Sequence, residues 1–153
     1  MKISDFVKRK AIFLDLKNKD KESVLNEILS NLVKANLIKK HHKKKILGKL
    51  LEREKLGSTA IGQNFAIPHA KIEGLNKILL CIARHKEGID FNSLDGEPVH
   101  IIFLLLIPTN EIGVYLKLLA KIAKILRDKN FRRLFMEAKT IKQVIEIIKS
   151  LEE

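Results

Sequence analysis

The sequence has one cysteine and no tryptophan in 153 residues. The single cysteine, Cys81, excludes an intramolecular disulfide framework, so we expect a reducing compartment, the cytoplasm.

No apolar run reaches the roughly 20 residues that a membrane-spanning helix needs. The longest run, residues 101–107, suits a buried strand. The first residues lack the apolar stretch of a secretory signal. We therefore expect a cytoplasmic protein without membrane insertion.

Negative charge is scarce relative to positive charge. Thirty Lys and Arg residues stand against 18 Asp and Glu residues, which gives a formal net charge of +12. Such an excess is typical of proteins that contact nucleic-acid phosphates. Aromatic residues make up only 5% of the chain, however, and acidic residues are interleaved among the lysines, so no stacking platform is indicated. The densest basic cluster, "KKHHKKK" at 39–45, is interpreted as the solvated start of a helix. We expect no nucleic-acid partner, and the charge favours acidic protein partners or solubility.

Hydrophobic periodicity divides the chain into helices and strands. Apolar residues recur at helical spacing in five segments. They predict helices over 21–36, 41–57, 113–128, 130–138 and 140–153, the last with Thr140 as its N-cap. Three short apolar runs predict strands over 11–16, 77–85 and 98–108.

The last two predicted strands are apolar on both faces, which is typical of strands covered on both sides. Between them, Asp95-Gly96 indicates a turn. The pattern predicts an α/β fold in which a mixed central β-sheet is flanked by helices on both faces, a three-layer sandwich. The length favours a single domain, residues 1–153.

The segment "GSTAIGQNFAIPHAK", residues 57–71, is glycine-punctuated and almost uncharged in a lysine-rich chain. Gly62 permits backbone conformations that other residues avoid, and it lets main-chain N–H groups approach a ligand. Ser58 and Thr59 add hydroxyl donors. The segment is interpreted as a loop that forms a small anion-binding nest.

His69 follows Pro68 at the end of this segment. Proline fixes its own φ and favours an extended conformation in the residue before it, so the backbone that enters His69 is stiff. A neutral imidazole is a competent nucleophile toward phosphorus, a base or a metal ligand. The residues alone leave these roles open beside that of a partly buried turn histidine.

A metal site receives little support from the histidines. His69, His85 and His100 lack the short spacing of zinc ligands, and the chain has no CxxC motif. The sequence also lacks the nucleophile elbow of a serine hydrolase. We therefore expect neither a metal nor an organic cofactor.

The stretch "LLEREKLGSTAIGQNFAIPH", residues 50–69, resembles a known signature. It is similar to that of phosphotransferase-system enzyme IIA domains of the fructose, mannitol and nitrogen-regulatory type. The residues in register with the signature are Arg53, Glu54, Ser58, Thr59, Gly62, Ala66, Pro68 and His69. The resemblance covers nearly the whole chain, and the compact length is most similar to the nitrogen-regulatory branch.

The resemblance implies phosphoryl relay. His69 would accept a phosphoryl group from a phosphohistidine on the small histidine phosphocarrier protein, and pass it to a IIB partner or hold it as a regulatory mark. Arg53 would bind two phosphoryl oxygens through its guanidinium fork. Ser58, Thr59 and N–H groups of the loop around Gly62 would bind the remainder. The unreactive ring nitrogen would donate to a backbone carbonyl.

Two positions depart from the family pattern. Family members commonly carry a second histidine where this chain has Tyr115. A tyrosine hydroxyl can hydrogen-bond a phosphoryl oxygen, but it cannot become a cation near neutral pH, so onward transfer would lose one stabilising charge. Asn64 replaces a glycine, which is tolerable because asparagine accepts a left-handed φ. An alternative function is therefore a regulatory protein-binding module with weak or no onward transfer.

Overall fold

The computed structural model describes residues 1–152. Five α-helices are present in this range: α1 Lys21–Lys34, α2 Lys43–Lys55, α3 Ile112–Arg127, α4 Lys129–Glu137 and α5 Ile141–Leu151. The strands are β1 Ile12–Phe13, β2 Phe65–Ala66, β3 His69–Ile72, β4 Leu79–Ile89 and β5 Val99–Pro108. None of the helices within residues 1–152 has the length and apolar character to cross a membrane.

The sheet is mixed, and its centre is the antiparallel pair β4–β5. β1 runs parallel to β4 at one edge. β2 and β3 both run parallel to β5 on its other side, one after the other along the strand. This topology confirms the predicted mixed sheet.

Alternate side chains of the central strands enter two separate hydrophobic clusters. Leu79, Cys81 and Ala83 of β4 pack in a cluster with buried residues of α1 and α2. Leu80 and Ile82 pack in a second cluster with buried residues of α3, α4 and α5. Because successive strand residues point to opposite faces, the sheet is covered on both sides. The three-layer arrangement is confirmed.

The structure shortens or extends several predicted elements. The strand predicted over 11–16 reduces to β1. Ala11 belongs to the 3₁₀ turn Arg9–Ala11, and residues 14–16 lie beyond the end of the strand, where the Leu16 N–H still donates to the Arg84 carbonyl at 3.1 Å. β4 continues to Ile89, beyond the predicted end at 85, through an irregularity between Arg84 and Ile89. The Thr140 hydroxyl accepts a hydrogen bond from the Gln143 N–H at 3.1 Å, which confirms the predicted N-cap.

Candidate functional site

The segment 57–71 is more ordered than the predicted loop, since it contains β2 and most of β3. His69 is the first residue of β3 and pairs with Leu105 of β5. The Leu105 N–H donates to the Pro68 carbonyl at 2.9 Å. The prediction of a loop throughout 57–71 was therefore wrong for β2 and the residues of β3, because pairing with a distant strand orders this backbone. His69 lies on the sheet itself.

The imidazole of His69 is half-buried and is oriented by its own backbone. Its Nδ1 lies 2.8 Å from the Ile67 carbonyl oxygen. A carbonyl oxygen can only accept, so Nδ1 carries the proton and donates. In the neutral ring, Nε2 then holds the free lone pair.

The surroundings of His69 favour that neutral form. Burial lowers the pKa of His69 below its ordinary value of 6.5 by removing water from the cation. The positive charge of Arg53 lowers it further, while the hydrogen bond to Ile67 and the charge of Glu54 act in the opposite direction. At neutral pH the ring is therefore uncharged and nucleophilic.

This electrostatic balance predicts a measurable titration. A proton NMR titration of His69 should give a midpoint below 6.5, since the folded protein disfavours the cation. Arg53→Gln removes a repelling charge and should raise that midpoint. Lys129→Gln, on α4, should leave it unchanged. A wild-type midpoint above 6.5, or no response to Arg53→Gln, would contradict this account of the site.

Arg53 lies in the last turn of α2, just before the segment that leads to His69. Its Nη1 donates to the Gly57 carbonyl at 2.8 Å, which fixes one edge of the guanidinium. Its charge lowers the pKa of both His69 and Tyr115, so the guanidinium acts electrostatically on both rings. Gly57 follows Leu56, the C-cap residue of α2, and has φ 149°.

Tyr115 lies in the first turn of α3 and faces His69. The centroids of the two rings are 5.7 Å apart. Burial raises the pKa of Tyr115, and the Arg53 charge only partly offsets this, so the hydroxyl stays protonated and able to donate. The structure therefore places Tyr115 against His69, with the Arg53 charge acting on both rings, as the resemblance to the family implied.

The two predicted hydroxyl donors already have partners within the fold. The Thr59 hydroxyl donates to Glu54 Oε2 at 2.6 Å, and the Thr59 N–H donates to Glu54 Oε1 at 3.1 Å. The Ser58 hydroxyl donates to the Phe91 carbonyl and accepts from the Ala60 N–H, both at 3.1 Å. These contacts shape the loop, and direct phosphate binding by Ser58 and Thr59 stays a prediction.

Gly62 adopts φ 151°, and a Cβ at this position would lie 3.1 Å from Asp95 Oδ2. The same carboxylate oxygen accepts from the Gln63 N–H at 3.2 Å. Asn64 has φ 68°, the left-handed conformation expected of it. Position 62 therefore requires glycine, because of its backbone conformation and its close packing against Asp95. A phosphate contact of Gly62 stays a prediction.

Glu54 is the site residue to which the sequence assigned no role. It is only 6% exposed, and besides Thr59 it binds Lys21 Nζ at 3.2 Å. That ammonium also lies 5.1 Å from the centre of the Phe91 ring. Glu54 thus joins α2, α1 and the loop. Its spacing from Ile46 and Leu50, one helical turn apart each time, placed it on the buried face of α2.

The remaining strand histidines lie away from His69. His69 and Leu80 both pair with Leu105, whereas Arg84 pairs with Ile101, so His85 and His100 lie toward the other end of the strands. Within residues 1–152, no group of three His, Cys, Asp or Glu side chains is arranged to hold a metal ion. The three histidines therefore do not converge on one site.

Comparison with known proteins agrees with this geometry. The model of the family described as "Phosphoenolpyruvate-dependent sugar phosphotransferase system, EIIA 2" matches residues 5–151. The chain belongs to this enzyme IIA family. This chain therefore has a phosphoryl-relay or regulatory role, as a component of the phosphotransferase system.

Its relatives include regulatory and sugar-specific proteins. A nitrogen regulatory protein from Bradyrhizobium diazoefficiens is 37% identical over 97% of this chain and 95% of its own length. A fructose-specific EIIABC component from Bacillus subtilis is 32% identical over 97% of this chain but only 23% of its own length. The nitrogen regulatory protein IIA-Ntr from Neisseria meningitidis has a TM-score of 0.85 at 31% identity, covering 95% of this chain and 98% of that one.

Proposed function

We propose that this IIA protein accepts a phosphoryl group on Nε2 of His69 from a phosphohistidine on the histidine phosphocarrier protein. It then passes the group to a IIB partner or keeps it as a regulatory mark. The observation that carries the proposal is the imidazole itself: Nδ1 is bound to the Ile67 carbonyl, and the neutral ring leaves Nε2 free beside Arg53. Residues 1–153 would act as a single IIA type-2 domain in the cytoplasm.

The proposed transfer needs no proton to be removed from the nucleophile. The Nε2 lone pair of His69 forms the new bond to phosphorus, and the bond from phosphorus to the donor nitrogen breaks with its electron pair. The Nδ1 proton stays on the hydrogen bond to Ile67. Arg53 and the Tyr115 hydroxyl face the negative oxygens of the transferred group, so catalysis is alignment and charge stabilisation.

The surface around the ring suits a protein donor. Large apolar side chains are exposed at Leu56 and Ile61, close in sequence to Arg53, and at Ile112, Val114 and Leu116, around Tyr115. Exposed apolar side chains grouped near a reactive residue are typical of protein contact surfaces. This surface supports docking of the phosphocarrier protein and then of a IIB or regulatory partner.

Arg53→Gln should slow phosphorylation by about a hundredfold, since one preorganised donor to a developing phosphoryl charge is lost. The phosphorylation rate of Arg53→Lys should lie between those of wild type and Arg53→Gln, because an ammonium keeps the charge but loses the two-pronged guanidinium geometry. Rapid-quench measurement of labelled phosphate transfer from the phosphocarrier gives these rates. Lys55→Gln, an exposed charge on the same helix, is the matched control. Equal rates for wild type and Arg53→Gln would remove Arg53 from the mechanism.

The direct test uses purified components. The protein is incubated with phosphoenolpyruvate, the general phosphotransferase enzyme and the histidine phosphocarrier protein, and its intact mass is measured. We expect an increase by one PO₃ group that is lost in acid and retained in base, as for a phosphoimidazole. No increase, or an acid-stable increase, would overturn the proposal.

Tyr115 favours a second candidate function, a regulatory module in which the phosphorylation state of His69 gates binding to other proteins. The tyrosine cannot supply the charge that a second histidine would, which would slow onward transfer. Pull-downs should then capture different partners with wild-type protein and with His69→Asp. Identical partners bound with equal affinity by both forms would eliminate the switch.

Tyr115→His tests whether the missing cation limits transfer. We expect Tyr115→His to speed loss of phosphate to a IIB acceptor by about tenfold, because a histidine can carry charge beside the phosphoryl group. Tyr115→Phe should slow acceptance less than Arg53→Gln does, since only a neutral donor is removed. Single-turnover transfer from phosphorylated protein measures both. A slower Tyr115→His variant would contradict this role.

A further inference from the structure

A cavity of about 750 Å³ lies away from His69, between the end of α1, the connection from α1 to α2, and the connection from β3 to β4. It is bounded by residues of 33–46 and 72–79, together with Lys8. Its volume is within the range of small-molecule sites. The family chemistry described above makes no use of it.

The floor of this cavity is apolar. Leu37, Ile38 and Leu75 are partly buried and pack against the hydrophobic cluster under α1 and α2. Ile46 and Ile72, both buried, complete the floor. Covering these side chains with an apolar ligand would remove further surface from water, which is favourable.

The rim is cationic. Lys8, Lys39, Lys40 and Lys77 line the cavity and are exposed, and none forms an ion pair within residues 1–152. Glu73 is the only acidic residue among the lining residues. An anionic group at this rim would meet several uncompensated charges of one sign.

Folding does not account for the basic cluster at 39–45. It continues from the rim into the start of α2, where the first turn has no acidic residue and no side-chain cap. Positive charge at a helix N-terminus opposes the helix dipole and costs stability. The cluster therefore destabilises the start of α2, and an anion bound at the cavity would offset this unfavourable interaction.

We propose that this cavity binds a small amphipathic anion, with a carboxylate or phosphate head at the lysine rim and an apolar body on the floor. The site is separate from His69. Ile72 points into the cluster under α1 and α2, whereas the His69 ring faces Tyr115 of α3. Binding at the cavity therefore does not depend on the proposed phosphorylation.

Calorimetric titration with decanoate, below its micelle concentration, tests the proposal. We expect saturable one-site binding, and at least about tenfold weaker binding of decanol and of inorganic phosphate, each of which has only half of the required chemistry. The triple variant Lys39→Gln, Lys40→Gln, Lys77→Gln should lose at least about tenfold in affinity. The matched triple variant Lys129→Gln, Lys142→Gln, Lys149→Gln removes the same charge from α4 and α5 and should bind as wild type. Circular dichroism checks that both variants are folded.

Amide NMR shifts locate the bound decanoate. We expect changes in residues 33–46 and 72–79, and small changes in 57–69. Absence of saturable binding, equal loss in both triple variants, or shifts centred on 57–69 would overturn the proposal. Binding of phosphatidylglycerol vesicles or of a DNA oligonucleotide without binding of free decanoate would also overturn it, in favour of a polyanionic surface.

Discussion

His69→Ala is expected to abolish the acid-labile phosphoryl adduct completely, while the protein remains folded. The variant removes the imidazole that faces Tyr115 and on which the Arg53 charge acts. Its structural cost is small, because the half-buried ring makes one hydrogen bond, to Ile67, worth about 1 kcal/mol. Intact mass after incubation with the phosphorylated phosphocarrier protein measures the effect, and thermal unfolding confirms the fold.

The matched control for this variant is His100→Gln. His100 lies toward the other end of β5, where its Nδ1 is 3.0 Å from the His85 carbonyl. This variant should carry the adduct as wild type does. An undiminished adduct on His69→Ala would contradict the assignment of His69 as the phosphoryl acceptor, since another residue would then carry the group.

Glu54→Ala is expected to lower the free energy of unfolding by about 3–4 kcal/mol, the largest stability effect at the site. The variant leaves the Thr59 N–H and hydroxyl without their acceptor. It also leaves the Lys21 ammonium, on a side chain only 15% exposed, without its partner. The melting temperature should fall by about 10 °C for a chain of this size.

Two variants on the same helix calibrate this effect. Glu54→Gln keeps an acceptor for the Thr59 N–H but loses the charge that pairs with Lys21, so an intermediate loss is expected. Glu52→Gln breaks only an exposed pair with Lys49 at 3.9 Å, and it should cost less than about 0.5 kcal/mol. Denaturant unfolding compares the three. Similar values for Glu54→Ala and Glu52→Gln would show that the buried carboxylate does not hold the loop.

The sequence predicted the layers of the fold because hydrophobic periodicity reports burial. It missed β2 and β3 because their pairing partner, β5, is far along the chain, and each is too short for a local pattern to stand out. The segment "HAKI" does alternate in burial, with Ala70 and Ile72 buried and Lys71 exposed. Two buried positions are too few to distinguish a strand from a loop.

The candidate site could be predicted only in part from the sequence. Resemblance to the family placed His69, Arg53 and Tyr115, and the structure brings them together. The sequence could not predict the hydrogen-bond partners of Ser58 and Thr59, because a hydroxyl in a loop has many possible acceptors and the fold selects among them. Glu52 and Glu54 are the same residue type, two positions apart on α2. Only the position of Glu54 on the same helical face as Leu50 distinguishes the buried carboxylate from the exposed one.

The most direct test of the central claim is the atom that carries the phosphoryl group. Nitrogen-15 NMR of the phosphorylated protein, with labelled histidine, identifies which ring nitrogen of His69 is bonded to phosphorus. We expect Nε2, with Nδ1 protonated and still hydrogen-bonded to the Ile67 carbonyl. A phosphorus bond to Nδ1, or to any residue other than His69, would contradict the account.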